Sequence, residues 1–128
     1  MKKINNKNYN IYTYSTKKFK TVGAMIVFIN NVSLKDLIYS NVLTNVLTYS
    51  TKNYQTNREF LIACQNLYDL GLSSRVIKSD NKLVSIFHFT AINYLYTNKN
   101  IFKNSVKLLE ECLINPNFSC NHFDKKND

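Results

Sequence analysis

Residues 33–49 read SLKDLIYSNVLTNVLTY, and this stretch decides the fold. Ser33 followed by Asp36 is a helix start, with a hydroxyl and a carboxylate placed to satisfy the free backbone N–H groups of a first turn. Leu34, Leu37, Ile38, Val42, Asn45, Val46 and Tyr49 then recur at helical spacing, which predicts a helix over 34–49. Immediately before it runs FKTVGAMIVFIN, residues 19–30. Residues 22–29 are apolar apart from Gly23, the pattern of a central strand covered on both faces. Further upstream, residues 9–14 alternate Tyr or Ile with Asn and Thr and predict a short strand, with a polar turn at 15–18.

Downstream, Thr56 and Glu59 form a second capping box, and Phe60, Leu61, Cys64, Leu67 and Tyr68 give the next apolar stripe. The predicted helix covers 57–70, with Gly71 closing it in the left-handed conformation. Residues 73–79 and 82–94 read as a strand pair joined by the turn dipeptide Asp80-Asn81. Val84, Ile86, His88, Thr90 and Ile92 share one face of the second strand, while Phe87, Phe89 and Ala91 share the other. Phe102, Val106, Leu109 and Leu113 mark a last helix over 101–114, stopped by Asn115-Pro116. The order β-β-α-α-β-β-α groups strands and helices in blocks. It predicts an α+β fold: a mostly antiparallel sheet with helices packed on one face. Residues 1–8 are a flexible N-terminus on this reading, 9–116 a single domain and 117–128 a polar C-terminal tail.

Composition narrows the class. The 128 residues are 45% hydrophobic and 20% charged, which suffices for a packed core. No run of about 18 apolar residues exists, so no membrane helix is expected. Polar residues follow the basic start at Lys2 and Lys3, so no signal peptide is read, and a cytoplasmic location is the expectation. Cys64, Cys112 and Cys120 are odd in number and widely spaced, which fits neither a disulfide framework nor a metal knuckle. The net charge of +9 suggests nucleic acid or an acidic partner. The lysines are spread along the chain, however, and the richness in Asn, Lys, Ile and Tyr is the bias of an AT-rich genome. Nucleic acid is therefore the weaker partner class.

Asn41 and Asn45 stand four apart on one helical face, the spacing that helical zinc sites use when both residues are His. From Asn41 to Gln55 the chain reads NVLTNVLTYSTKNYQ. This resembles the helix of the insulinase/pitrilysin zinc peptidases, HFLEHMxFxGTxxYP, with an H-x-x-E-H core. Leu43, Thr51 and Tyr54 are shared, and Val42, Val46 and Leu47 are apolar matches. The order of the surrounding elements agrees over about residues 9–123. The resemblance implies the first half of a LuxS/MPP-like metallohydrolase domain. It also implies that Asn41 and Asn45 stand where the family has its zinc histidines, and Thr44 where it has its general-base Glu. An amide is a poor zinc ligand, and a threonine has no pKa suited to activating water. The third family ligand is a Glu further on, and no Glu follows Glu111.

The expectation is thus a non-catalytic peptidase homologue with no catalytic residue, no metal and no cofactor. It is most similar to an inactive bacterial branch associated with elongation factor P 5-aminopentanol modification. As half of a domain, it would carry an open sheet edge and an exposed apolar face. The implied partner is an active insulinase-family paralogue, with self-association as the other route to covering that face. Two competitors remain. One is a small basic nucleic-acid-binding α+β module. The other is a zinc enzyme using His88, Cys120 and His122. By default, His88 is a satisfied strand histidine, and the Phe and Tyr residues are core rather than base-stacking platforms.

Overall fold

The computed structural model describes residues 1–97, 100–119 and 122–123. The fold is α+β. An antiparallel hairpin, β1 (Lys2–Asn5) and β2 (Asn10–Thr13), precedes the long strand β3 (Thr21–Asn31). Helices α1 (Leu34–Leu47) and α2 (Asn57–Gln65) follow, then the strand pair β4 (Gly71–Ser79) and β5 (Lys82–Ile92). A short 3₁₀ turn (Tyr94–Tyr96) leads to α3 (Ile101–Ile114) and a small hairpin, β6 (Phe118–Ser119) with β7 (His122–Phe123).

The main sheet has the order β3-β5-β4 and is fully antiparallel. Thr21 pairs with Ile92 and the register runs unbroken to Asn31 opposite Lys82. Its inner face meets the helices. Phe87, Phe89 and Ala91 of β5 pack with Leu47 of α1, Phe60 and Cys64 of α2, and Ile101, Leu108, Leu109 and Cys112 of α3. The predicted division of β5 into two faces places these residues correctly. At Gly23 the strands approach so closely that a Cβ would stand 2.9 Å from the Phe89 carbonyl oxygen. That contact, rather than a turn, is the reason for a glycine there.

Besides shifts of two residues at one end of α1, β4 and β5, and the strand pair β6–β7 within the predicted tail, four details differ from the sequence reading. Residues 2–5, read as part of a loose polar lead-in, form β1, because backbone pairing with β2 asks nothing of side chains that stay exposed. The second helix ends at Gln65, and the left-handed residues are Tyr68 (φ 58) and Asp69 (φ 54). The Leu70 N–H then returns to the Cys64 carbonyl at 3.0 Å, so the reversal is complete before Gly71 opens β4. The start of α1 is only half a capping box. Ser33 Oγ accepts from the Asp36 N–H (3.1 Å), but the Asp36 carboxylate accepts from the Ser33 hydroxyl (2.6 Å) instead of a backbone donor. At Thr56 and Glu59 the box is reciprocal, as predicted.

The fourth difference concerns position in the sheet. β3 reads as a central strand but lies at an edge, and Met25, Ile26, Val27, Phe28 and Ile29 are all exposed. An apolar run reports that a strand needs cover on both faces; it does not report which chain supplies that cover.

Candidate functional site

Helix α1 lies beside β4 at the far edge of the sheet and buries only one flank. Thr44 and Leu47 are buried, and Leu37, Ser40 and Thr48 half-buried. Thr44 O accepts hydrogen bonds from Ser74 Oγ of β4 (3.2 Å) and from Thr48 Oγ1 (3.1 Å), and the two hydroxyls meet at 3.4 Å. The opposite flank carries Leu34, Ile38 and Val42, three residues of the helical-period stripe, and all three are exposed. Contact with β4 and, through Leu47, with β5 reaches only one side of the helix, so the broad apolar face read from the sequence is left half open.

Asn41 and Asn45 lie on that open flank. The Asn41 amide donates from Nδ2 to the Leu37 carbonyl at 2.9 Å, and Asn45 Nδ2 donates to the Asn41 carbonyl at 2.9 Å. Both amides bond back along their own helix. Thr44 is on the buried flank, with its hydroxyl donating to the Asn41 carbonyl at 3.1 Å. The i, i+4 spacing therefore brings Asn41 and Asn45 together on one surface and sends Thr44 toward the sheet. What the surface offers chemically is two amide oxygens framed by exposed Leu34, Ile38 and Val42.

Of the residues shared with the peptidase helix motif, Leu43 is exposed on α1, while Thr51 and Tyr54 do structural work. Thr51 is fully buried and donates to Glu111 Oε1 of α3 at 2.7 Å while accepting from the Tyr54 N–H at 3.1 Å. It bridges to Pro116, and the Lys52 N–H donates to the Asn115 carbonyl at 3.1 Å. The loop after α1 is thus clamped to the end of α3. Between α2 and α3 an open groove of about 700 Å³ is lined by Glu59, Ile62, Asn66, Asn104, Lys107 and neighbours. Glu59 is already engaged in the helix cap.

His88 is half-buried on the outer face of the sheet, opposite Ser73, whose hydroxyl lies 2.9 Å from Nε2 and 3.3 Å from Nδ1. The sequence reading gave His88 a satisfied role but did not name Ser73. Counting outward from the Asp80-Asn81 turn would have paired them. Cys120 lies outside the described residues, and the side chain of His122 is likewise outside them, so the set with His88 has no geometry to assess. Among the described residues no three His, Cys, Asp or Glu side chains cluster as a metal site. Cys64 and Cys112 are both buried thiols. Burial pushes Cys112 up to about 12, with the Cys64 thiol and the Glu111 carboxylate adding to it, and burial raises Cys64 as well.

No known protein family matches the sequence, and no curated protein matches it. The fold is similar to the crystal structure of a conserved protein from Enterococcus faecalis V583, with a TM-score of 0.82 at 20% identity. The similarity covers 85% of this chain and 26% of that one, so the chain spans about a quarter of that protein's length. At this identity the likeness establishes the α+β fold. No helix among the described residues is long and apolar enough to cross a membrane.

Proposed function

We propose that this chain is a non-catalytic relative of the insulinase/pitrilysin zinc peptidases, acting in the cytoplasm as a structural or regulatory partner of an active paralogue. The observation that carries this reading is the open flank of α1. Asn41 and Asn45 occupy the positions of the two zinc histidines, and their amides are spent on helix carbonyls. Thr44, at the position of the base, faces the sheet. A helix that had only lost its ligands would be expected to regain a polar exterior. This one keeps Leu34, Ile38 and Val42 beside the former ligand positions, which suits a protein–protein contact. The link to elongation factor P modification rests on the resemblance of the sequence alone.

The test is co-expression with an intact H-x-x-E-H paralogue from the same genome. A stoichiometric complex that is lost with Ile38→Glu and Val42→Glu supports the proposal. Stoichiometric zinc in the purified chain, with hydrolysis of a peptide substrate, overturns it.

A further inference from the structure

We propose that the free edge of β3 receives an extended, acidic segment of another polypeptide, which adds a strand to the sheet. The argument begins with what this edge lacks. Edge strands are normally blunted by an inward charge, a proline, a bulge or a short length, because unpaired N–H and C=O groups recruit other chains. β3 has eleven residues, no charge, no proline and an unbroken register against β5. Among the described residues its other edge is unpaired.

Both faces of the strand are open as well. On the outer face Met25 (57% exposed), Val27 and Ile29 (64% exposed) continue across β5 and β4 through Ile86, Val84 and Ile77. On the inner face Val22 and Ala24 pack against the core, while Ile26 and Phe28 are exposed. An exposed antiparallel face normally alternates polar residues outward, and this one does not. The composition is that of a strand inside a larger sheet, covered on both faces.

Charge selects the occupant. Lys17, Lys18 and Lys20 precede β3, Lys35 follows it, and Lys82 stands opposite its last residue with Nζ donating to Asn31 Oδ1 at 2.8 Å. Arg75 lies on the outer face, two strands from Val27 and in line with it. The nearby acids are Asp36, held by Ser33, and Asp80 in the turn. A second copy would bring the same charge of +9. In an antiparallel β3–β3 pairing, the lysines before Thr21 would lie against Lys82 and Lys35 of the other copy at both ends. A strand flanked by carboxylates meets those lysines favourably, while its backbone supplies the pairing and its alternate side chains the apolar contacts.

This extends the partner-binding role proposed above but concerns a different surface, and its test needs no paralogue. A fluorescein-labelled peptide with a Val-Thr-Val-Thr-Val centre and two glutamates at each end is titrated into the full chain, with anisotropy as the readout. Three comparisons follow: the same peptide with lysine for glutamate, the acidic peptide N-methylated at alternate residues, and the Val27→Glu, Ile29→Glu variant. The acidic peptide is expected to bind at least about tenfold more tightly than the lysine peptide at low salt. N-methylation should remove binding, and the variant should lose about tenfold while melting with the wild-type profile. Equal binding of acidic and basic peptides, or indifference to N-methylation, overturns the proposal. So does a stable dimer of the chain alone in size-exclusion chromatography with light scattering. N-methylation is tested on the wild-type protein, so an unfolded variant would not blunt the result. A chain that binds the acidic peptide yet ignores the paralogue would sink only the proposed function.

Discussion

Thr51 and Val27 belong to the same small domain and live under opposite conditions. Thr51 itself is fully buried and its polar groups are paired: hydroxyl to carboxylate, amide to hydroxyl, loop to helix end. Around Val27 the backbone is half paired and both faces meet solvent. The first region has what it needs within the chain. The second has the composition of a core and lacks the neighbour that would make it one. Thr51 and Tyr54, two of the residues that resemble the peptidase helix motif, lie in the first region, where packing and hydrogen bonding account for them.

The largest effect should separate these regions by truncation. Phe89 is 1% exposed and its ring lies 5.7 Å from that of Phe102. Phe89→Ala should cost about 3–5 kcal/mol in urea unfolding, since it opens a cavity under the helices. Val27→Ala, one strand away, should change stability by no more than about 0.5 kcal/mol in the isolated chain. A large loss at Val27 would mean that the edge is already covered. The clamp comes next. Thr51→Val keeps the shape but strips Glu111 and the Tyr54 amide of a partner, and should cost about 1–3 kcal/mol. Glu111→Gln, which can still accept from Thr51, should cost less, and equal losses would show that the hydrogen bond is not the source.

Alkaline pH probes the same buried side. In the folded chain Cys112 is raised from 9.0 to about 12, so the native state holds its proton longer than the unfolded state does. Its contribution to stability is complete below pH 9 and falls away as pH rises toward 12. Urea midpoints measured from pH 8 upward should therefore drop more steeply for wild type than for Cys112→Ala. Parallel profiles would show that the thiol is not shielded. The comparison between variants isolates the thiol from everything else that changes with pH.

Much of this contrast was legible in the sequence, and the part that was not has a physical reason. The two strands of the Asp80-Asn81 hairpin, the α2 cap and α3 all follow from local pattern. Turn residues, a capping box and apolar periodicity act within a few residues; the structure has the α2 cap and α3 where the pattern predicts, and the hairpin strands within two residues of it. The second helix was read five residues too long because Tyr68 and Asp69, not Gly71, take the left-handed turn. The site residues fared differently. Spacing alone puts Asn41 and Asn45 on one face, and the structure agrees. The stripe through Leu34, Ile38 and Val42 predicted the helix but not its exposure, because periodicity says which residues share a face, not what lies opposite it. The same limit misplaced β3 at the sheet centre. In both cases the sequence reports a demand for cover, and among the described residues nothing in the chain meets it.

The smallest effect sits beside one of the larger ones and reverses its sign. Ser50 and Thr51 are adjacent, both almost wholly inaccessible, and both hydroxylated. Thr51 is bonded twice through its side chain, whereas Ser50 Oγ is the buried side-chain polar atom without a partner among the described residues. A hydroxyl taken from water and given nothing in return opposes folding, and removing it costs only a small volume. Ser50→Ala should therefore be neutral or stabilise the chain by up to about 1 kcal/mol, against the clear loss at Thr51→Val. Denaturant titration of the two variants side by side checks the reversal. A loss of more than about 1 kcal/mol at Ser50 would show that its hydroxyl is satisfied in solution, by a bound water, and that the loop after α1 is clamped at two residues instead of one.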